Sequence, residues 1–170
     1  TAIFTSGSTG RPRAVVHSVR NHVVSAEGSQ ENIPLERVDR WLLSLPMYHV
    51  GGLAIAFRCL LHGAGIVISG RAAGDAISTH GVTHASFVPT QLQRLLDSSG
   101  NRLDSLRAVL LGGSQLPSVL IDQALEAGIP VHASYGLTEM ASQVATTHPG
   151  ASREELRTAG FVLPGREVRI

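Results

Sequence analysis

Two stretches, HASFVPTQLQRLLD (residues 84–97) and AVLLGGSQLPSVLIDQALEAGIPVHAS (residues 108–134), carry the alternation that decides the fold. Three short runs within them are apolar or rich in β-branched residues, at 84–88, 108–111 and 131–134. Runs of four or five such residues, bounded by turn-forming residues, are typical of buried strands. The two stretches therefore predict three strands of one sheet.

The segments between these runs have helical spacing. Thr90 is expected to cap a helix that continues through residues 95 and 96, and Pro117 to open another that ends near Gly128. Strands that alternate with helices predict βαβ units, in which the strands run parallel. In sheets of this kind, ligands bind outside the carboxyl ends of the strands.

The same alternation extends over the rest of the chain. Three further runs predict strands, at residues 3–5, 41–45 and 66–68. Ser18 is expected to cap a helix running towards Ser29, and the polar stretch 148–157 is typical of a surface excursion. The strand-like run near Arg166 predicts one more strand. The fold class is therefore α/β, with a mainly parallel sheet and helices on both faces.

The composition narrows the class of partner. The chain has 170 residues, of which 43% are hydrophobic, and 14 basic residues stand against 13 acidic ones. This balance fits one domain with a core and argues against nucleic acid as a partner. The lone Cys59 allows no disulfide, which favours a cytoplasmic protein. The sequence has no run of 18 apolar residues, so it does not predict insertion into a membrane. The sequence leaves open whether the protein is a homo-oligomer.

The loop after the first predicted strand has a composition suited to phosphate. TSGSTGRPR, residues 5–13, offers four hydroxyls, two glycines and two guanidinium groups. Glycines let backbone N–H groups approach an anion, hydroxyls donate further hydrogen bonds, and arginine supplies charge. An ordinary Ser/Gly turn is the alternative. The sequence lacks both the P-loop pattern and the dinucleotide-binding Gly-x-Gly-x-x-Gly pattern.

Two more motifs follow at strand ends. LPMYHVGG (residues 45–52) places His49 in a turn before a helix, and SYGLTE (residues 134–139) offers an aromatic face, a hydroxyl and a carboxylate. These groups suit adenine, a phosphate oxygen and Mg²⁺, respectively. A structural histidine and a capped helix start are the alternatives. LGGS (residues 111–114) is by itself only a tight turn.

Together, these three motifs resemble, in the same order, the motifs of the adenylate-forming (acyl-CoA synthetase, AMP-binding) superfamily. The finer strings around residues 43–46, 84–92, 110–113 and 163–168 look most like the o-succinylbenzoate:CoA ligases of menaquinone biosynthesis. The resemblance implies ATP, Mg²⁺ and CoA as ligands and a small-molecule carboxylic acid as substrate. Arg13 stands where the family usually has lysine, and Ala14 where it has glycine.

The resemblance also implies a set of site residues. The phosphate-binding and other nucleotide-binding positions are Thr5, Ser6, Gly7, Ser8, Thr9, Gly10, Arg13, Gly112, Gly113, Ser134, Tyr135, Gly136 and Thr138. The acyl substrate is assigned to His49, Arg58 and Thr90. His49, Thr138 and Glu139 would be catalytic, with Glu139 also holding the metal.

Arg58 stands out on physical grounds as well. It is the only residue with a fixed charge between Leu42 and Leu61, inside the apolar run 53–61. A helix that is apolar all round is buried, and a buried guanidinium needs an anionic partner. An internal Asp or Glu is one candidate partner. The second carboxylate of a dicarboxylic substrate is the other, and it is the one that the resemblance implies.

The resemblance implies that residues 1–170 are a fragment of the adenylation domain. We expect the N-terminal part of the large domain and the small C-terminal domain to lie outside the chain. In the family, a lysine of the small domain bridges the carboxylate and the α-phosphate, whereas all 14 basic residues here are arginine. Another acyl- or aryl-CoA ligase, an amino-acid adenylation domain and a non-catalytic nucleotide-binding fragment remain alternative functions.

Overall fold

The computed structural model describes residues 1–5, 13–98, 100 and 102–169. The strands are β1 (Ala2–Thr5), β2 (Arg13–Val16), β3 (Arg40–Leu42), β4 (Gly65–Val67), β5 (His84–Phe87), β6 (Ala108–Leu111), β7 (Val131–Leu137), β8 (Ser142–Thr146) and β9 (Phe161–Val162). The helices are α1 (Val19–Gln30), α2 (Val50–His62), α3 (Ala73–His80), α4 (Pro89–Asp97) and α5 (Ser118–Glu126), with 3₁₀ turns at Thr138–Met140 and Glu155–Arg157.

Seven of the described strands form one sheet, in the order β4-β3-β5-β6-β7-β8-β9. The first five run parallel, which confirms the predicted βαβ organisation. β8 and β9 are antiparallel additions at one edge, so the sheet is mixed. β1 and β2 form a separate antiparallel pair whose connection spans residues 6–12. The extra antiparallel strands arise because only a short turn separates β7 from β8, which leaves no room for a crossover helix.

Helices cover both faces of the sheet, as the sequence predicts. Successive side chains of a strand point to opposite faces. In β6, Val109 and Leu111 therefore join one core with α3, α4 and α5, whereas Ala108 and Leu110 join a second core with Trp41 and α2. Burial on both faces favours an apolar run, and β6 is apolar at every position, which explains why it is readily recognised from sequence.

Several predicted boundaries are wrong. Thr90 does not cap α4, because Pro89 already occupies the first helical position and the extended Val88 precedes it. The Val88 N–H instead donates a hydrogen bond to the side-chain oxygen of Gln91, at 3.0 Å. The strand predicted over residues 41–45 ends at Leu42, where the chain leaves the sheet and turns into α2. Residues 163–169 contain no strand, contrary to the expectation for Arg166.

The predictions for Ser18 and for residues 148–157 hold. Ser18 caps α1, and its side chain and that of Asn21 exchange bonds with each other's backbone N–H at 3.3 and 2.9 Å. The stretch 148–157 is largely exposed and has one short 3₁₀ turn. Within the described part of the chain, no helix combines the length and apolarity needed to cross a bilayer.

A polar cluster joins the amino ends of three strands; Asp39 and His84 are buried in it, whereas Arg107 is partly exposed. The Asp39 carboxylate accepts a hydrogen bond from Arg107 at 2.9 Å and lies 3.8 Å from the His84 ring. Burial lowers the pKa of His84 to about 4, although Asp39 acts in the opposite direction. The pKa of Asp39 is also lowered: hydrogen bonds and nearby positive charge outweigh the opposing effect of burial. His84 is therefore neutral in the folded protein at neutral pH.

We expect the folded protein to lose stability as the pH falls from about 6.5 towards 4. Between the ordinary pKa of 6.5 and the native value near 4, the unfolded chain binds a proton that the folded chain excludes. The loss is about 3 kcal/mol, since each pKa unit corresponds to ~1.4 kcal/mol. Below that window, protonation of Asp39 removes further stability.

Urea unfolding at several pH values measures how steeply stability depends on pH, and His84→Gln should flatten this slope. His80→Gln, at an exposed position, should leave the slope unchanged; equal slopes for His84→Gln and wild type would contradict this.

Candidate active site

A cavity of about 470 Å³ opens at the carboxyl ends of the parallel strands. Its walls come from the turn after β3, the ends of β5 and β6, strand β7 with the 3₁₀ turn that follows it, and the inner sides of α2 and β8. Its size lies within the range of small-molecule sites. The cavity therefore occupies the edge of the sheet where ligands are expected in an α/β fold.

Close backbone approaches shape two walls of the cavity. A Cβ atom on Gly52 would lie 2.2 Å from the carbonyl oxygen of Pro46, so only glycine lets α2 start against this turn. A Cβ atom on Gly136 would lie 2.4 Å from the carbonyl oxygen of Ser142. β7 is irregular beside Gly136, and Ala141 and Ser142 both have positive φ angles, of 54° and 121°. Such backbone is costly for non-glycine residues and is typical of functional sites.

Arg58 reaches the cavity from α2 and is only 2% exposed. Its Nη2 donates to Gln143 Oε1 at 2.5 Å and to Ser142 Oγ at 3.4 Å. The guanidinium carbon lies 5.3 Å from the Trp41 ring centroid, a cation–π distance. Burial lowers the pKa of Arg58 to about 10, so the group stays charged at neutral pH.

No carboxylate of the described residues forms an ion pair with Arg58, and its Nε has no hydrogen-bond partner there. An internal Asp or Glu, the alternative that the sequence leaves open, is therefore not found in the described part of the chain. A buried charge of this kind is costly unless something pairs with it. The cavity thus contains an arginine that can accept an anionic ligand group.

Seven of the predicted site residues line this cavity: His49, Arg58, Gly112, Gly113, Ser134, Gly136 and Thr138. They come from distant parts of the sequence and meet because the carboxyl ends of parallel strands share one edge. His49 also borders a second cavity of about 340 Å³, lined by β1 together with Tyr48 and Leu53. His49 precedes α2 directly and makes no capping hydrogen bond with its side chain, so its ring remains available to a ligand.

Other predicted residues lie outside the cavity lining. Tyr135 is half exposed, and Glu139 is exposed in the 3₁₀ turn next to Thr138. Thr90 is exposed in the first turn of α4 and is not among the residues that line the cavity, so its substrate-binding role stays a prediction. Ser6, Gly7, Ser8, Thr9 and Gly10 lie outside the described residues.

The two ends of the phosphate-type loop are held together. Thr5 and Arg13 are register partners in the β1–β2 pair, and Thr5 Oγ1 donates to the Arg13 carbonyl at 3.4 Å. Residues of β2 have Cα atoms within 8 Å of the turn Thr138–Met140. Strand β2, which follows the loop in sequence, therefore lies near the turn that carries Thr138 and Glu139.

The residues fit a nucleotide with its metal. Gly112, Gly113 and Gly136 give a ligand access to backbone in the cavity, and Thr138 lines the same cavity. The exposed Glu139 carboxylate forms no ion pair within the described residues. They also contain no group of three His, Cys, Asp or Glu suited to a metal. A Mg²⁺ held by one carboxylate and by substrate phosphates matches this arrangement, because Mg²⁺ rarely needs an all-protein cage.

Sequence patterns do not reveal several residues that shape the cavity. Ser86, Ser142 and Gln143 line it, and the buried Trp41 supports Arg58 while donating to Ser86 at 3.2 Å. Ser142 and Gln143 belong to β8, which has no recognisable apolar alternation. The only available signal is a buried arginine without an acidic neighbour, which requires polar partners elsewhere in the chain.

The fold and the cavity define an α/β ligand-binding domain with its site at the carboxyl ends of the parallel strands. The family model "AMP-binding enzyme" matches residues 1–170. The chain belongs to this family of AMP-binding enzymes.

The chain is similar to 2-succinylbenzoate–CoA ligase of Escherichia coli, at 46% identity over 98% of the chain and 36% of the relative. An arginine-to-lysine variant of E. coli MenE with bound OSB-AMS has a TM-score of 0.87 at 44% identity, covering 99% of this chain and 36% of that one. MenE from Bacillus subtilis, in complex with ATP and magnesium ion, has a TM-score of 0.88 at 38% identity. The match covers 96% of this chain and 35% of that one. The chain spans just over a third of the length of these relatives.

Proposed function

We propose that the protein carrying this chain activates 2-succinylbenzoate with Mg·ATP and transfers the acyl group to CoA, as an acid–thiol ligase of menaquinone biosynthesis. One observation supports this acid above others. Arg58 is buried, charged and lines the cavity, and it has no carboxylate partner within the described residues. An acid with two carboxylates has one to react and one to pair with this guanidinium. The similarity to 2-succinylbenzoate–CoA ligases at 38–46% identity agrees with this proposal.

In the first step, a carboxylate oxygen of the acid attacks the α-phosphorus of ATP. The bond from that phosphorus to the bridging oxygen breaks, and pyrophosphate leaves. Nucleotidyl transfer of this kind depends on positioning and on neutralising developing charge. Arg58 would hold the second carboxylate, and His49 and Thr138 would flank the reacting carboxylate and the α-phosphate. Thr5, Ser6, Ser8, Thr9 and Arg13 would hold the β and γ phosphates.

In the second step, the CoA sulfur attacks the acyl carbon of the adenylate. The bond to the AMP oxygen breaks, the thiol proton passes to solvent, and the thioester forms. Mg²⁺, held by Glu139, would neutralise phosphate charge during adenylate formation. The nucleotide base would rest against Gly112, Gly113 and the strand that carries Ser134, Tyr135 and Gly136.

The proposal extends to the setting of the reaction. Residues 1–170 would form part of the large domain, and full activity would need segments that the longer relatives possess. The lone buried Cys59, whose pKa burial raises to about 11, is unreactive and compatible with a cytoplasmic enzyme.

Exchange of labelled pyrophosphate into ATP tests the function directly. The full-length protein is offered 2-succinylbenzoate, a simple aryl acid, a fatty acid and a set of amino acids. We expect exchange to be fastest with 2-succinylbenzoate and to require Mg²⁺. Faster exchange with an amino acid or a monocarboxylic acid would contradict the assigned acid. ATP binding without exchange for any acid would identify a non-catalytic nucleotide-binding protein instead.

A further inference from the structure

We propose that Gln143 is a positioning residue that sets the charge selectivity of the acyl pocket. It orients Arg58 through a neutral amide and so leaves the guanidinium charge free for the second carboxylate of the substrate. This inference rests on the proposed function, because it concerns how the same pocket distinguishes acids with two carboxylates from acids with one.

The orientation of the Gln143 amide follows from hydrogen-bond chemistry. Arginine only donates hydrogen bonds, so the amide must present its oxygen to Arg58 Nη2, at 2.5 Å. The amide nitrogen then faces Thr146 Oγ1 and donates to it at 2.6 Å. Gln143 and Thr146 are both buried, and water does not compete for these bonds. Both polar atoms of the Gln143 amide are therefore held by hydrogen bonds.

The backbone of Gln143 is held as well. Arg166 Nε donates to the Gln143 carbonyl at 3.0 Å, and Arg166 Nη2 donates to the Met140 carbonyl at 3.3 Å. Arg166 thus bonds both sides of the strained pair Ala141–Ser142, which lies between these two carbonyls. With its backbone and its amide both held, Gln143 can hold Arg58 in one place at the cavity wall.

Among the residues that the structure describes, the guanidinium has contacts that orient it and none that neutralise it. Gln143 and Ser142 accept from Nη2, and Trp41 lies at cation–π distance. All three groups are uncharged. The Nε donor has no partner within the described residues. The fold has already desolvated the arginine, so an incoming carboxylate meets a full, preoriented charge.

A carboxylate at position 143 would change this balance. Glutamate has nearly the same shape as glutamine and would accept from the same Nη2 atom, but it would also compensate the charge. A second carboxylate from the substrate would then approach an already neutral pair and meet repulsion from the glutamate. An acid that lacks the second carboxylate would be little affected. Charge selectivity would therefore depend on the neutrality of residue 143.

The test compares two variants, Gln143→Glu and Gln143→Met, in the full-length protein, by adenylate formation from two acids. One acid is 2-succinylbenzoate. The other is a monocarboxylic analogue that retains the carboxyl group to be activated and lacks the second carboxyl group. For Gln143→Glu we expect kcat/KM for the dicarboxylic acid to fall about 100-fold, mainly through KM, since pairing of desolvated charges controls binding. Gln143→Met removes the hydrogen bond that orients Arg58 but leaves the guanidinium charge uncompensated. For this variant we expect kcat/KM for the dicarboxylic acid to fall about 10-fold. Turnover of the analogue should change less than about threefold in either variant, because it makes no ion pair.

The exposed Gln123 of α5 provides a matched control, because Gln123→Glu makes the same chemical change away from the cavity. It should leave both acids unaffected. Equal losses for both acids in a Gln143 variant would show a merely structural role, and unchanged use of both would remove Gln143 from the pocket's selectivity. If Gln143→Glu does not fold, Gln143→Met decides by the same criteria. A wild-type protein without preference for the dicarboxylic acid would overturn the proposed function itself, whereas an intact preference in both variants would overturn only this inference.

Discussion

Arg58→Ala is expected to weaken use of the two-carboxylate acid by about 2–5 kcal/mol, the usual cost of removing one member of a buried charge pair. At ~1.4 kcal/mol per factor of ten, this is a fall in kcat/KM of roughly 30- to 4,000-fold. The physical reason is that the substrate carboxylate would leave water for a pocket with no cation to receive it. Arg58 is 2% exposed, so solvent would not compensate.

Steady-state kinetics with both acids would measure this effect. The monocarboxylic analogue should lose far less, because it never pairs with Arg58. Arg58→Met keeps most of the side-chain volume and so separates loss of charge from loss of packing. Arg94→Ala, at an exposed position of α4, controls for the loss of an arginine elsewhere. Equal losses for both acids in Arg58→Met would show that Arg58 serves the fold and not the substrate.

A polypeptide of these 170 residues alone is expected to bind ATP weakly if it folds, and to form neither adenylate nor thioester at an enzymatic rate. The sequence contains no lysine, whereas the family uses one to bridge the carboxylate and the α-phosphate. Loss of one such charge at the reacting atoms costs about two to three orders of magnitude in rate, by analogy with loss of an oxyanion donor. The absence of domain closure around the open cavity should add to this.

Incubation of the polypeptide with 2-succinylbenzoate, Mg·ATP and CoA tests this expectation. Chromatographic detection of AMP and thioester provides the readout, and the full-length protein serves as positive control. Circular dichroism establishes whether the polypeptide is folded under the same conditions. Turnover in the ordinary range of about 1–1,000 per second would refute the assignment of this chain as an incomplete catalytic unit.

The centre of the sheet could be predicted from sequence because its physical signal is strong. β5 and β6 are buried on both faces, so residues 84–87 and 108–111 contain no fixed charge and are bounded by turn residues. β8 escapes prediction because Ser142, Gln143 and Thr146 are buried by hydrogen bonds rather than by apolar packing. Hydrophobic periodicity does not respond to burial of that kind.

Several residues of the site could also be predicted from the sequence, for a different reason. His49 and Thr138 lie in short motifs, where a local string fixes the turn that presents them. Arg58 was detectable as an isolated charge in an apolar helix. Its partners were not, because Gln143 and Trp41 reach it from strands 85 and 17 residues away along the chain, and only the sheet order brings them together. Thr90 was predicted from its string alone; it is exposed and outside the cavity lining, so its substrate-binding role stays a prediction.

The division of the cavity between elements has an evolutionary consequence. Groups suited to the nucleotide lie in the last part of β7 and in the turns after β6 and β7, whereas Arg58 lies on α2 and Gln143 on the antiparallel strand β8. Substitutions at these two positions alter the charge that meets the acid and leave the glycines in place, although Gln143 is the register partner of Gly136. Under the proposed function, paired changes on α2 and β8 would therefore redirect a lineage towards new acids while adenylation is maintained, because the groups assigned to the nucleotide lie on other elements.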